Sequence, residues 1–72
     1  MWTKENVGKA ITEIVGGKLG TREQETLKDM IWETIETQKD VNDIRTRAVI
    51  DFLQKSGKIE LTQAFRLADL LG

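Results

Sequence analysis

Apolar residues recur at helical intervals in four stretches of this chain, and the breaks between them carry glycine or small polar residues. In the first stretch Val7, Ala10, Ile11, Ile14 and Val15 form one stripe behind Thr3, a residue suited to capping a helix N-terminus, and Gly16-Gly17 and Gly20 end it. In the second, Thr21-Arg22-Glu23-Gln24 has the form of a capping box. Leu27, Met30, Ile31 and Ile35 line one face, with Trp32 on its margin.

Asp40 opens the third stretch as an expected cap, with Asp43 in the first turn, where a negative charge favours the positive end of the helix dipole. Val41, Ile44, Ala48 and Phe52 are its expected inward stripe, and Ile50 falls opposite. Gly57 after Ser56 should stop that helix in a left-handed conformation, and Lys58-Ile59-Glu60 reads as a short extended link. Thr62 is the expected cap of the last helix, preceded by Leu61 as a staple. Ala64, Phe65, Leu67, Ala68, Leu70 and Leu71 crowd its length. The pattern therefore predicts an all-α bundle of four short helices, at about residues 3–16, 22–38, 41–56 and 61–71, in a single domain spanning 1–72.

Size limits what such a bundle can hide. A chain of 72 residues buries only about 60% of the surface its unfolded form exposes. Cysteine and histidine are both absent, which removes disulfides and the usual ligands of a structural zinc. Close packing or self-association is left to reinforce the fold. The apolar fraction of 39% and charged fraction of 32% are those of a folding, globular chain. The longest apolar runs, such as Ala48-Val49-Ile50, are far short of the roughly 20 residues a membrane span requires. With no cysteine and no signal-like start, the expected setting is cytoplasmic.

Candidate chemistry is sparse. Without histidine, cysteine or tyrosine the chain lacks the side chains most used for proton transfer near neutrality and the strongest nucleophile. Ser56, the one serine, sits before Gly57 and reads as helix termination. Glu25, Asp29, Glu33 and Glu36 follow one another along the second helix as a solvated face, partly offset by Lys28 and Lys39. Asp40-Val41-Asn42-Asp43 lacks the glycine and distal glutamate of a calcium loop. Gly16-Gly17-Lys18-Leu19-Gly20-Thr21 has leucine where a phosphate-binding loop has serine or threonine after its lysine, and it follows a helix. No catalytic centre, metal site, cofactor or small-molecule substrate is expected.

Two binding readings remain. The apolar side chains outnumber what one small core covers, so a protein interface is expected, most simply a homodimer. Its candidates are Trp32, Ile50, Phe65, Leu67, Leu70 and Leu71. The alternative uses the more basic second half, where Arg45, Arg47, Lys55, Lys58 and Arg66 are candidate phosphate contacts. From Arg45 through Ile50 and Leu53 to Gly57-Lys58-Ile59, and then Leu67-Ala68-Asp69-Leu70-Leu71-Gly72, the order resembles the opening of a bacterial winged-helix or helix-turn-helix domain. The resemblance covers less than half the chain and stops where a recognition helix would begin; it implies nucleic-acid binding by that half. A regulatory module that binds protein, chiefly itself, is the favoured expectation, and nucleic-acid association is the alternative.

Overall fold

The computed structural model describes residues 2–38 and 40–72, and their side chains except those of Gln38 and Asp40. Among the described residues the chain forms four α-helices and no strand: α1 (Lys4–Val15), α2 (Thr21–Glu33), α3 (Asp40–Lys55) and α4 (Leu61–Asp69). α2 runs on into a wider, π-helical turn, Thr34–Gln38. α1 packs on α2 and α4, and α3 packs on the same two helices, so the four close a ring in which the diagonal pairs α1/α3 and α2/α4 do not meet.

Local chemistry explains where the helices begin and end. The Asn6 amide donates to Thr3 Oγ1 at 3.1 Å, as the sequence leads one to expect of an N-cap. α2 begins at Thr21, the residue expected to be its cap, so the cap moves one residue earlier. Gly20 takes that position, and its amide donates to the Glu23 carboxylate at 3.1 Å. Gln24 is drawn elsewhere: its Nε2 donates to the Leu19 carbonyl at 2.8 Å, and its Oε1 accepts from the Thr12 hydroxyl at 2.8 Å. At α4 the cap is Glu60, not Thr62. The Glu60 amide donates to Gln63 Oε1 at 2.7 Å, while Gln63 Nε2 reaches across to the Ile14 carbonyl at 2.9 Å. Gln63 thus satisfies a carbonyl in the last turn of α1, and Gln24 the loop carbonyl just before the α2 cap.

The end of α3 is a Schellman motif. Gly57 has φ of +82°, its amide donates to the Gln54 carbonyl, and the Lys58 amide donates to the Leu53 carbonyl at 2.9 Å. The expected cap by the Asp40 side chain, and the expected contribution of Lys39, lie outside the described residues.

The core is built mainly by α1 and by the residues that close over it. Val7, Ile11, Ile14 and Val15 are buried on α1, Leu27 and Ile31 on α2, Ile50 on α3, and Ala64 and Leu67 on α4. Leu19 and Ile59 plug the core from the two loops. Trp32, Ile35, Val49, Leu53, Leu70 and Leu71 are half-buried against this cluster.

α3 departs from its expected orientation. Val41, Ile44 and Phe52 are 69%, 70% and 66% exposed, while Ile50 is 3% exposed. The inward face is instead Thr46, Val49, Ile50 and Leu53. The reason is that α3 carries apolar residues on two sides, and the polar contact that orients it is tertiary. Thr46, also buried, lies 2.9 Å from the Thr34 hydroxyl across the α2–α3 junction. The Thr34 hydroxyl also lies within donating distance of the Met30 carbonyl at 2.8 Å and the Asn42 carbonyl at 3.4 Å, so the two threonines share one buried polar cluster. That cluster places Thr46, and with it Ile50 and Leu53, on the inside.

Candidate functional site

The sequence-derived interface residues separate into three groups. Ile50 and Leu67 are core residues, with no surface to offer a partner. Trp32, Leu70 and Leu71 are half-buried and pack on the core. Phe65 alone is broadly exposed, at 62%, and Leu61 one turn before it on the same face of α4 is exposed as well. The correction for Ile50 and Leu67 follows from the packing of α3 and α4: both lie on the sides that face the rest of the ring.

The residues that do form an apolar surface are the ones expected in the core. Val41, Ile44 and Phe52, with exposed Ala48 between them, make one outward stripe along α3. Among the described residues, five of the six large apolar side chains that are exposed lie on α3 and α4, and the sixth is Trp2. The stripe from Val41 to Phe52 extends over about 16 Å of helix at 1.5 Å per residue. The signal for it was present in the sequence as the two apolar sides of α3, of which only one can face α2 and α4.

The charged candidates are mostly engaged within the chain. Arg47 pairs with Asp43 at 3.0 Å, Lys55 with Asp51 at 3.2 Å, and Lys58 with Glu23 at 3.1 Å. Arg45 and Arg66 are exposed and make no ion pair among the described residues. The five basic residues are therefore not gathered as one field of unpaired charge. The Glu23 carboxyl is held below its ordinary value, first by the Gly20 amide and then by Lys58. In the glycine loop, Lys18 pairs with Glu60 at 3.2 Å, and the amides of Lys18, Leu19 and Gly20 are all bonded within the chain.

The chain matches no protein-family model, and no curated protein and no solved structure is detectably similar to it.

A polar groove separates α1 and α2, lined by Glu5, Lys9, Thr12, Glu13, Gln24 and Lys28 among others. Its floor is shaped by Gly8, because a Cβ there would lie 2.8 Å from Lys28 Cδ; the lysine stem lies across α1 where a side chain is missing. Lys28 pairs with Glu25 at 2.8 Å, and that hydrogen bond raises its pKa above the usual lysine value. Asp29 on the same helix pairs with Lys4 at 3.1 Å. Of these, the exposed Lys4–Asp29 pair bridges α1 and α2, while Lys28–Glu25 lies within α2; together they offset two of the four carboxylates on the acidic face. Among the described residues no three His, Cys, Asp or Glu side chains are grouped to hold a metal, and no helix is long and apolar enough to cross a membrane.

Proposed function

We propose that this protein is a non-catalytic interaction module that self-associates through the outward apolar stripe of α3, formed by Val41, Ile44, Ala48 and Phe52. The observation that carries the reading is that three large apolar side chains on one helix face stand two-thirds exposed in a domain with little core to spare. Isolated exposed apolar residues are common, but a continuous stripe of them is the mark of a surface covered in the working state. Phe52 supplies the aromatic area that typically anchors a protein contact. A symmetric pair is the simplest closed assembly and adds buried area that a chain of 72 residues otherwise lacks. Nucleic-acid binding is less well supported, because Arg47, Lys55 and Lys58 are already paired with carboxylates of the same chain.

Light scattering across a dilution series tests the proposal. The expected result is a dimer that dissociates on dilution, and Phe52→Glu should leave it monomeric with its helical circular dichroism retained. A wild-type chain that stays monomeric up to hundreds of micromolar would refute it.

A further inference from the structure

The ring has three corners, and two of them are fixed by residues that break a helix. Between α1 and α2 lie Gly16, Gly17 and Gly20, and after α3 comes Gly57 in its left-handed conformation. The third corner has no such residue. From Thr21 to Ser56 there is neither glycine nor proline, and α3 begins only two positions after the π-helical turn of α2 ends.

What turns the chain there is a set of side-chain contacts. Asn42 Nδ2 donates to Thr37 Oγ1 at 3.2 Å, and Thr34 Oγ1 lies 2.9 Å from Thr46 Oγ1. The hydroxyls of Thr34 and Thr37 also lie 2.8 and 2.7 Å from the carbonyls four residues back, a pattern that bends helices. On one straight helix residues 34 and 46 would stand about 18 Å apart along the axis, and residues 37 and 42 would point about 140° apart. Within a single chain the cross-corner contacts therefore exist only in the bent form.

Straightening would keep the apolar faces in line. Ile31 and Val49 are eighteen residues apart, as are Ile35 and Leu53, which is five whole turns. These residues pack on the core from α2 and α3, so both inward sides fall on one side of the straight helix. The ring also divides at this corner into two helical hairpins. α1 packs on α2 and α3 on α4, and the hairpins meet through the α1–α4 and α2–α3 contacts.

We propose that the α2–α3 corner is a hinge through which two copies of this chain exchange their α3–α4 hairpins. In the exchanged pair α2 and α3 run on as one helix, and the α3–α4 hairpin of each copy packs on α1 and α2 of the other. Contacts between the hairpins away from the corner are remade, and the corner contacts decide between the two forms. A short connection favours such exchange. The outward stripe of α3 takes no part in it, so this pair is distinct from the self-association proposed above.

The two forms differ most between the start of α2 and the end of α3. These are neighbours in the bent chain, where Lys58 pairs with Glu23 at 3.1 Å and the longest axis of the fold is 29 Å. In the straight helix they lie about 50 Å apart. The chain has no cysteine, so Arg22→Cys with Lys55→Cys takes two spin labels without background. Phe52→Glu, which blocks the stripe, is the background for the test. Exchange needs the hairpins to separate, so it is reached by refolding from urea at hundreds of micromolar and not by concentrating the folded chain. The expected product is a dimer that persists on dilution and, with labelled chains diluted into unlabelled ones, shows the distance of about 50 Å. A refolded chain that is only monomeric, or a dimer with the monomer's short distance, would overturn the exchange and leave the stripe reading untouched.

Two variants of the corner sharpen the result. Asn42→Ala removes the Thr37 contact from both chains and should raise the dimerisation constant about fivefold. Inserting Gly-Ser-Gly between Gln38 and Lys39 should abolish the dimer while the monomer keeps its helical circular dichroism, because the continuous helix is weakened and the connection lengthened. A dimer that survives the insertion unchanged would also overturn the proposal.

Discussion

The two halves of the ring use similar apolar content to opposite ends. In α1 the apolar residues keep to one side, and Val7, Ile11, Ile14 and Val15 are all buried between α2 and α4. In α3 they occupy two sides, and the inner one, Val49, Ile50 and Leu53, takes the place against α2 and α4 while Val41, Ile44 and Phe52 stay outside. A helix with one apolar face is satisfied by its own domain. A helix with two is only half satisfied, and its second face is available for recognition. Capping follows the same division: Gln63 reaches from α4 to a carbonyl in the last turn of α1 and Gln24 holds the Leu19 carbonyl of the loop after it, whereas α3 ends in a glycine motif made within its own segment, with the Ser56 hydroxyl adding a bond to the Leu53 carbonyl.

The largest expected difference between the two faces is in stability. Ile50→Ala should cost about 2–5 kcal/mol, as cavity-forming truncations in cores do. Ile44→Ala on the outer face should change stability by no more than about 0.5 kcal/mol when unfolding is followed at concentrations too low for dimers. Comparable losses at the two positions would show that both sides of α3 are embedded and would erase the contrast.

A smaller effect tests what orients α3. Thr46→Val should destabilise by about 1 kcal/mol, because it leaves the buried Thr34 hydroxyl without its hydroxyl partner. Replacing both Thr34 and Thr46 by valine should cost less than the single change, since no buried polar group is then stranded. Urea titration of the two variants distinguishes these outcomes, and additive losses would remove the hydroxyl pair as the orienting contact.

The smallest effect concerns the rim of the satisfied half. Glu23 has a depressed carboxyl pKa in the folded chain, so its contribution is present above the unfolded value and is lost as pH falls through the folded one. The difference in melting temperature between wild type and Glu23→Gln should accordingly shrink on the acid side of the ordinary glutamate range and be full at neutral pH. A difference that does not vary with pH would mean that the Gly20 and Lys58 contacts are not what the charge supports.

Much of the architecture was legible along the chain. The number and order of the helices, the Thr3 cap and the left-handed Gly57 all rest on interactions spanning four or five residues. The caps of α2 and α4 are Gly20 and Glu60 in place of Thr21 and Thr62 because the deciding groups were Glu23 and Gln63, reaching back to amides that any backbone supplies. Nothing local ranks those alternatives. The candidate surface was the least legible part: Ile50, expected opposite the inward stripe, and Leu67, counted among the surplus apolar residues, are buried, while Ile44 and Phe52, expected inward, are exposed.

Periodicity, glycine placement and capping residues were sufficient to determine that this chain forms four helices with turns at its glycine-rich and polar breaks, because each of those choices is made within a turn of helix. Which side of α3 faces the core was decided only in three dimensions. Two apolar faces of similar strength compete for one interior, and the balance is tipped by Thr46 meeting Thr34 across the helix junction, a contact between residues twelve positions apart.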